Sequence, residues 1–112
     1  MKREYRVKKH PEFDHIIRSG RKMKSEHFAL YFEQIPGQNH SRIGIAVGKK
    51  NGVAVTRVRI KRQVRAMLAK RNDYDQPINL IIVVRPNYHV DEFAANEEEL
   101  NASLDAMKEQ LN

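Results

Sequence analysis

The segment AVTRVRIKRQVRAML, residues 54–68, predicts an α-helix that packs one side on a sheet and exposes the other. It lies in a longer stretch, residues 53–71, that contains neither proline nor glycine. At about 100° per residue, four apolar side chains fall on one side of such a helix. These are Ile60, Val64, Met67 and Leu68. The segment is therefore expected to cover a sheet with this stripe.

The other side of the predicted helix carries cations and no acid. The cations are Arg57, Arg59, Lys61, Arg62 and Arg65. Val58 falls among them, and the helical pattern does not explain it. Like charges repel along a helix, and an ordinary solvated face mixes both signs. Because phosphates would remove this repulsion, the pattern favours a phosphate-backbone contact surface over a merely soluble face.

Charge is unevenly distributed along the 112 residues, whose net charge is +7. Residues 1–71 hold 19 of the 21 lysines and arginines but only 5 of the 14 acids, a balance of +14. Residues 72–112 have a balance of −7. The asymmetry indicates a polyanionic partner, and nucleic acid is a commoner one than an acidic substrate or a membrane surface.

The length predicts a single domain, residues 1–112. Cysteine is absent, which excludes disulfides, thiolate metal sites and a thiol nucleophile. The charged N-terminus has no apolar signal-peptide core, and the longest apolar run, LIIVV at residues 80–84, is too short to span a membrane. A cytoplasmic protein with no membrane partner is therefore expected.

Periodicity and chain breakers predict an α+β fold, a two-layer α-β sandwich around a small mixed sheet. A first helix occupies residues 10–20, and strands follow at residues 27–34 and 41–48. The basic helix leads to a buried strand, residues 78–85, ended by Pro86. A last helix is expected from an N-cap at Asp91 to the C-terminus, with apolar residues at heptad spacing.

The residues favour RNA over DNA as the partner. Zinc-finger spacing, heptads after a basic region and a short helix-turn-helix pair are all missing. The aromatic residues Phe13, Phe28, Tyr31 and Phe32 offer stacking surfaces for unpaired bases, although core packing explains them about as well. Strand alternation places Phe28 and Phe32 on one face and Tyr31 on the other.

A protein nuclease would need metal-ligating or nucleophilic groups at a recognisable spacing. The five histidines are scattered, without HxxxH spacing, and the acidic run Glu97-Glu98-Glu99 is better explained as a solvated helix face. No P-loop or G-x-S-x-G motif is present. The sequence thus predicts no catalytic residue and no metal bound by the protein.

The stretch KKNGVAVTRVRIKRQVR, residues 49–65, resembles the signature of the bacterial ribonuclease P protein family. That signature reads Lys-Lys-x-Gly-x-Ala-Val-x-Arg-Asn-Arg-x-Lys-Arg-x-x-Arg. Further similarity comes from the F-x-x-x-[IF]-x-x-G segment, met by Phe13, Ile17 and Gly20, and from the I-G-I-A-V strand before the helix. The resemblance covers roughly residues 2–86.

The resemblance implies the protein partner of a catalytic RNA that removes the 5′ leader of precursor tRNA by Mg²⁺-dependent hydrolysis. The Mg²⁺ would be held through the RNA. A left-handed strand-helix-strand crossover is also implied. The implied RNA-binding residues are Lys49, Lys50, Arg57, Val58, Arg59, Lys61, Arg62 and Arg65. The leader would lie in a cleft between the first helix and the sheet, lined by Phe13, Ile17, Phe28 and Tyr31.

Val58 is where the chain departs from this signature, since the family has asparagine there. Valine can neither donate nor accept a hydrogen bond, so one RNA contact is expected to be weakened or reshaped while the cations keep the phosphate contacts. Two alternatives stay open at this point. One is a structural, ribosome-associated type of RNA-binding protein, and the other is a stand-alone protein nuclease.

Overall fold

A computed structural model describes residues 1–111 of the chain. Its longer elements are α1 (His10–Ser19), β1 (Arg21–Lys24), β2 (Phe28–Gln34), β3 (Arg42–Val47), α2 (Ala54–Arg71), β4 (Ile78–Val84) and α3 (Phe93–Glu109). Two short 3₁₀ turns, Arg3–Tyr5 and Lys49–Asn51, precede α1 and α2. The predicted α+β class is confirmed.

The four strands form one mixed sheet in the order β1-β2-β4-β3. Strand β2 runs antiparallel to both β1 and β4, whereas β3 and β4 are parallel. Because parallel neighbours need a crossover connection, α2 joins the end of β3 to the start of β4. The predicted strand-helix-strand unit is therefore present, and the basic helix is its crossover.

One face of the sheet forms the main core with α2 and α3. The stripe predicted from helical spacing is confirmed, since Ile60, Val64, Met67 and Leu68 are the buried side chains of α2. In α3 the corresponding buried apolar residues are Leu100, Leu104 and Met107. The main core fixes the orientation of α2, because turning the cations inward would bury them without partners.

The opposite face of the sheet is covered by α1 only in part. Ile16 of α1, Val7 and Ile81 form a small second core there, with Phe13 packed against it. Other side chains of this face, including Tyr31, are only half-buried. The helix adds a partial third layer to the expected two-layer sandwich and leaves an open cleft beside it.

Two local expectations differ from the structure. Residues 21–24 form strand β1. No strand was expected there, because the three cations around Met23 give no hydrophobic alternation. Its backbone pairs with β2, so the strand depends on its neighbour rather than on its own side chains. Helix α3 begins at Phe93 after Glu92, and no side chain caps it, so the N-cap predicted at Asp91 is wrong.

Candidate nucleic-acid interface

Helix α2 presents its cations along one exposed side. Arg59 and Arg62 are exposed, whereas Arg57, Lys61 and Arg65 are half-buried along the border with the core. The Nε atoms of Arg57 and Arg65 are buried and make no hydrogen bond. Within residues 1–111, none of these five cations forms an ion pair with an acid. Their charge is therefore available to an anionic partner.

The loop before α2 adds two exposed cations, Lys49 and Lys50, in a 3₁₀ turn. Gly52 then adopts φ of 124°, a backbone conformation that strongly favours glycine. Asn51 fixes the loop to the sheet, because its Nδ2 donates a hydrogen bond of 2.9 Å to the carbonyl oxygen of Arg85. The lysines predicted near the basic helix thus lie beside its first turn, where no side chain caps the free N–H groups.

The cations at the C-terminal end of α2 are different, because they are engaged by acids. Lys70 lies 3.2 Å from a carboxylate oxygen of Glu97, and Arg71 lies 2.9 Å from Asp105. Asp73 contacts both Arg71 and Lys108. Burial alone would raise the pKa of Asp73, but the hydrogen bond from Lys108 and the nearby cations outweigh it, so the pKa lies below its usual value. These ion pairs hold the C-terminal end of α2 against α3.

The cleft beside α1 contains some of the residues predicted to bind a leader, but not all. Phe13 packs against the second core, and Tyr31 is half-buried on the same sheet face. Ile17 is exposed on α1, since Ile16 takes the buried position. The prediction for Phe28 is wrong, because its side chain is fully buried in the main core on the other face, edge-on to Tyr88 at 5.7 Å.

The cleft also has cations that the sequence analysis did not assign to it. The register of β1 on β2 pairs Lys22 with Tyr31 and Lys24 with Ala29, which places both lysines on the cleft face. The Lys22 ammonium lies 5.3 Å from the centre of the Tyr31 ring. Met23, the one apolar residue of RKMK, packs against the main core, and it was the only sequence signal for the position of these lysines.

A groove connects the cleft with the basic helix. It follows the outer edge of β3 and is lined on the cleft side by His10, Phe13 and Ala46, and on the α2 side by Lys61. Lys8 lies at its rim. The two surfaces predicted separately from the sequence are therefore continuous.

In residues 1–111, no three His, Asp or Glu side chains converge to hold a metal ion. The described helices include none that is both long and apolar enough to cross a membrane.

Comparison with known proteins supplies the family. The family profile described as Ribonuclease P matches residues 1–108, nearly the whole chain. This chain belongs to the ribonuclease P protein family. The ribonuclease P protein component of Enterococcus faecalis is 39% identical over 105 residues, which cover 93% of this chain and 86% of that protein. That of Ligilactobacillus salivarius is 34% identical over 109 residues, covering 96% of each chain.

Solved structures of ribonuclease P proteins share the fold. The Staphylococcus aureus protein superposes with a TM-score of 0.80 at 27% identity, covering 93% of this chain and 95% of that one. The Thermotoga maritima protein, at 23% identity, has the same fold with a TM-score of 0.72 over 96% and 97% of the two chains. As a ribonuclease P protein, the chain is the protein subunit of an RNA-based endoribonuclease of tRNA processing, and its partner is RNA.

Proposed function

We propose that the exposed side of α2 binds the catalytic RNA of ribonuclease P and that the cleft beside α1 binds the 5′ leader of precursor tRNA. The observation that carries the proposal is a cationic surface without acids that continues, through the groove at β3, into a partly aromatic cleft. The two surfaces would serve the two RNAs of the proposed function.

The side of α2 fits a folded RNA backbone. Arg59 and Arg62 project into solvent and Lys49 and Lys50 extend the surface beyond the first turn, so several phosphates can be contacted at once. Each phosphate neutralised by a cation releases counterions, which makes binding strong and salt-dependent. The side chains of Arg57 and Arg65, held at the edge of the core, add donors in fixed directions.

The cleft fits an unpaired strand. Phe13 and Tyr31 offer apolar and aromatic surface to bases, and Lys22 and Lys24 lie where phosphates of the same strand would pass. Stacking on aromatic rings tolerates any base, so this composition suits a leader of variable sequence. Ile17 extends the apolar surface along α1.

The hydrolysis itself is assigned to the RNA partner. The family implies Mg²⁺, but no cluster of carboxylates or imidazoles in residues 1–111 fits a metal ion. The protein's part is to neutralise phosphate charge and to hold the leader beside the catalytic RNA.

Reconstitution tests the proposal. The chain is added to ribonuclease P RNA at low Mg²⁺ with precursor tRNA, and 5′ cleavage is measured with and without protein. Stimulated cleavage is expected. Binding without stimulation would instead indicate a structural RNA-binding protein, and cleavage without the RNA would indicate a protein nuclease.

The cleft is tested separately with leaders of different length. Tyr31→Leu keeps apolar volume but removes the ring, and it should reduce the protein-dependent gain for a long leader more than for a one-nucleotide leader. Tyr5→Leu is the matched control, because Tyr5 stacks on Tyr74 away from the cleft, at 4.3 Å between ring centres. Equal losses for both leaders would contradict leader binding at Tyr31.

A further inference from the structure

We propose that Val55 and Val58 form an apolar contact for an unstacked nucleobase of the RNA partner, with Arg59 and Arg62 holding the adjoining phosphates. The proposal deepens the proposed function and rests on it. It also gives a role to Val58, the residue at which the chain departs from the family signature.

The exposed valines are unusual for a surface helix. Within residues 1–111, four large hydrophobic side chains are exposed, and three of them lie at the start of α2. Val53 is 70% exposed, Val55 is 79% exposed and Val58 is 50% exposed. Isolated exposed hydrophobics such as Val53 need no explanation, but Val55 and Val58 lie next to each other on one helix turn, which indicates a contact site.

Val55 and Val58 face the same direction, since they are three residues apart on a helix. Together with Ala54 they line an open groove whose remaining walls are Arg59 and Arg62. An apolar surface bordered by two arginine side chains suits a nucleotide. The base can cover the valines while each arginine binds a phosphate.

The cations of the groove favour RNA over a neutral or basic protein as its occupant. The groove has cationic walls, no acid lines it, and Lys49 and Lys50 lie just before the helix. A neutral or basic protein surface would leave these charges without partners at the interface, whereas a nucleic acid supplies an anion beside every base. At this position valine offers apolar surface to the base, whereas the asparagine of the family signature offers a hydrogen-bonding group.

Affinity for the ribonuclease P RNA of the same organism tests the contact, measured over a range of salt concentrations. Val55→Ala and Val58→Ala are each expected to weaken binding roughly threefold to tenfold, with an unchanged slope of log affinity against log salt. Arg62→Gln is expected to reduce that slope by about one. Val53→Ala is the matched control, because Val53 is exposed but does not line the groove, and it should leave affinity unchanged.

Val58→Asn distinguishes an apolar contact at this position from a hydrogen bond that valine has lost. If valine makes an apolar contact, asparagine does not raise the affinity, and a rise would overturn the proposal. Unchanged affinity in both alanine variants would also overturn it. Failure of the unaltered chain to bind the RNA would count against the proposed function as well, so the two failures are distinguishable.

Cross-linking identifies the nucleotide. The chain has no cysteine, so Val58→Cys carries a photoreactive label at one position only. Cross-links from position 58 to an unpaired nucleotide of the bound RNA support the proposal. Cross-links confined to base-paired segments, or none to RNA, would overturn it.

Discussion

Gly44 shows how one residue shapes the cleft. It lies in β3 directly beneath Phe13, and a Cβ built on it would come within 2.5 Å of the Phe13 ring and 2.8 Å of Ile81. Only glycine lets the ring approach the strand so closely, which keeps α1 near the sheet. The spacing of the cleft therefore depends on a residue that contacts no RNA in the proposed function.

Gly44→Ala is expected to lower the free energy of unfolding by about 1–3 kcal/mol, because the added methyl group must displace Phe13 or Ile81. Chemical denaturation measures this change. Gly48→Ala is the matched control, since nothing lies within 4 Å of a Cβ at that position, and it should change stability by less than about 0.5 kcal/mol. Equal stability of Gly44→Ala and the unaltered chain would show that the ring moves freely.

Among single residues, helical spacing was more informative than strand composition. It identified the four buried side chains of α2 and the exposure of Val58, since both follow from the angle per residue. Phe28 was assigned to the cleft although alternation places it on the face opposite Tyr31. The more exposed face of the sheet cannot be distinguished from its buried face by aromatic content, because both faces of β2 carry large side chains.

At the scale of elements, α2 has two ends with different partners. Residues 54–65 carry the cations without acid partners, and the C-terminal end is held to α3 by Lys70 and Arg71. The helix is thereby anchored at one end and presented to solvent at the other. Removing a cation should have different consequences at the two ends.

Arg59→Gln is expected to weaken RNA binding and to reduce the slope of log affinity against log salt by about one, because one phosphate contact is lost. Lys70→Gln removes the same charge from the same helix and serves as the control. Its ammonium already lies 3.2 Å from Glu97, so the slope should stay unchanged. Filter binding at several salt concentrations measures both, and identical slopes for the two variants would contradict this division of α2.

Helix α3 is fastened to the β1–β2 hairpin by Glu99. Its carboxylate accepts hydrogen bonds from Ser25 Oγ at 2.5 Å and from the His27 backbone N–H at 2.7 Å, and its other oxygen lies 2.6 Å from His27 Nδ1. Partial burial would raise the pKa of Glu99, but these hydrogen bonds outweigh it, so the pKa lies below its usual value of 4.5. Residues 25–27 and 99 are far apart in sequence, and no local pattern predicted this contact.

Glu99→Gln is expected to lower the free energy of unfolding by about 1–2 kcal/mol at neutral pH, because charge-assisted hydrogen bonds are lost. A carboxyl group with a depressed pKa stabilises the fold above its unfolded pKa, and this stabilisation disappears as pH falls through the folded value. The difference between the variant and the unaltered chain should therefore shrink below about pH 4.5. Thermal unfolding against pH measures it, with exposed Glu98→Gln as control; a difference independent of pH would contradict the assignment.

For the whole molecule, the topology was largely predictable and the sheet edges were not. The order of helices and longer strands follows from breakers and periodicity, because these elements bury their own apolar stripes. Strand β1 has no hydrophobic alternation of its own, and its lysines could be placed in the cleft only from the register with β2. The handedness of the crossover through α2 stays a prediction from the family.

The cations and acids that are separated along the sequence are also separated on the folded molecule. Residues 1–71 supply the cations of α2 and the cleft, whereas α3 carries exposed acids on the helix next to α2. An RNA that extends past α2 toward α3 therefore meets like charge. This arrangement would confine RNA to one side of a molecule whose longest dimension is 38 Å.

Neutralising three exposed acids of this region, by Glu92→Gln, Glu98→Gln and Glu109→Gln together, raises the net charge from +7 to +10. Affinity for an unrelated duplex RNA is expected to rise severalfold near 0.01 M salt, where charges act over about 30 Å, and hardly at all near 1 M, where screening leaves about 3 Å. Affinity for ribonuclease P RNA should rise less, because its contacts are directed to α2. The matched control replaces the same three residues by aspartate and preserves the charge. Equal gains for both RNAs would show that α3 does not help to discriminate between them.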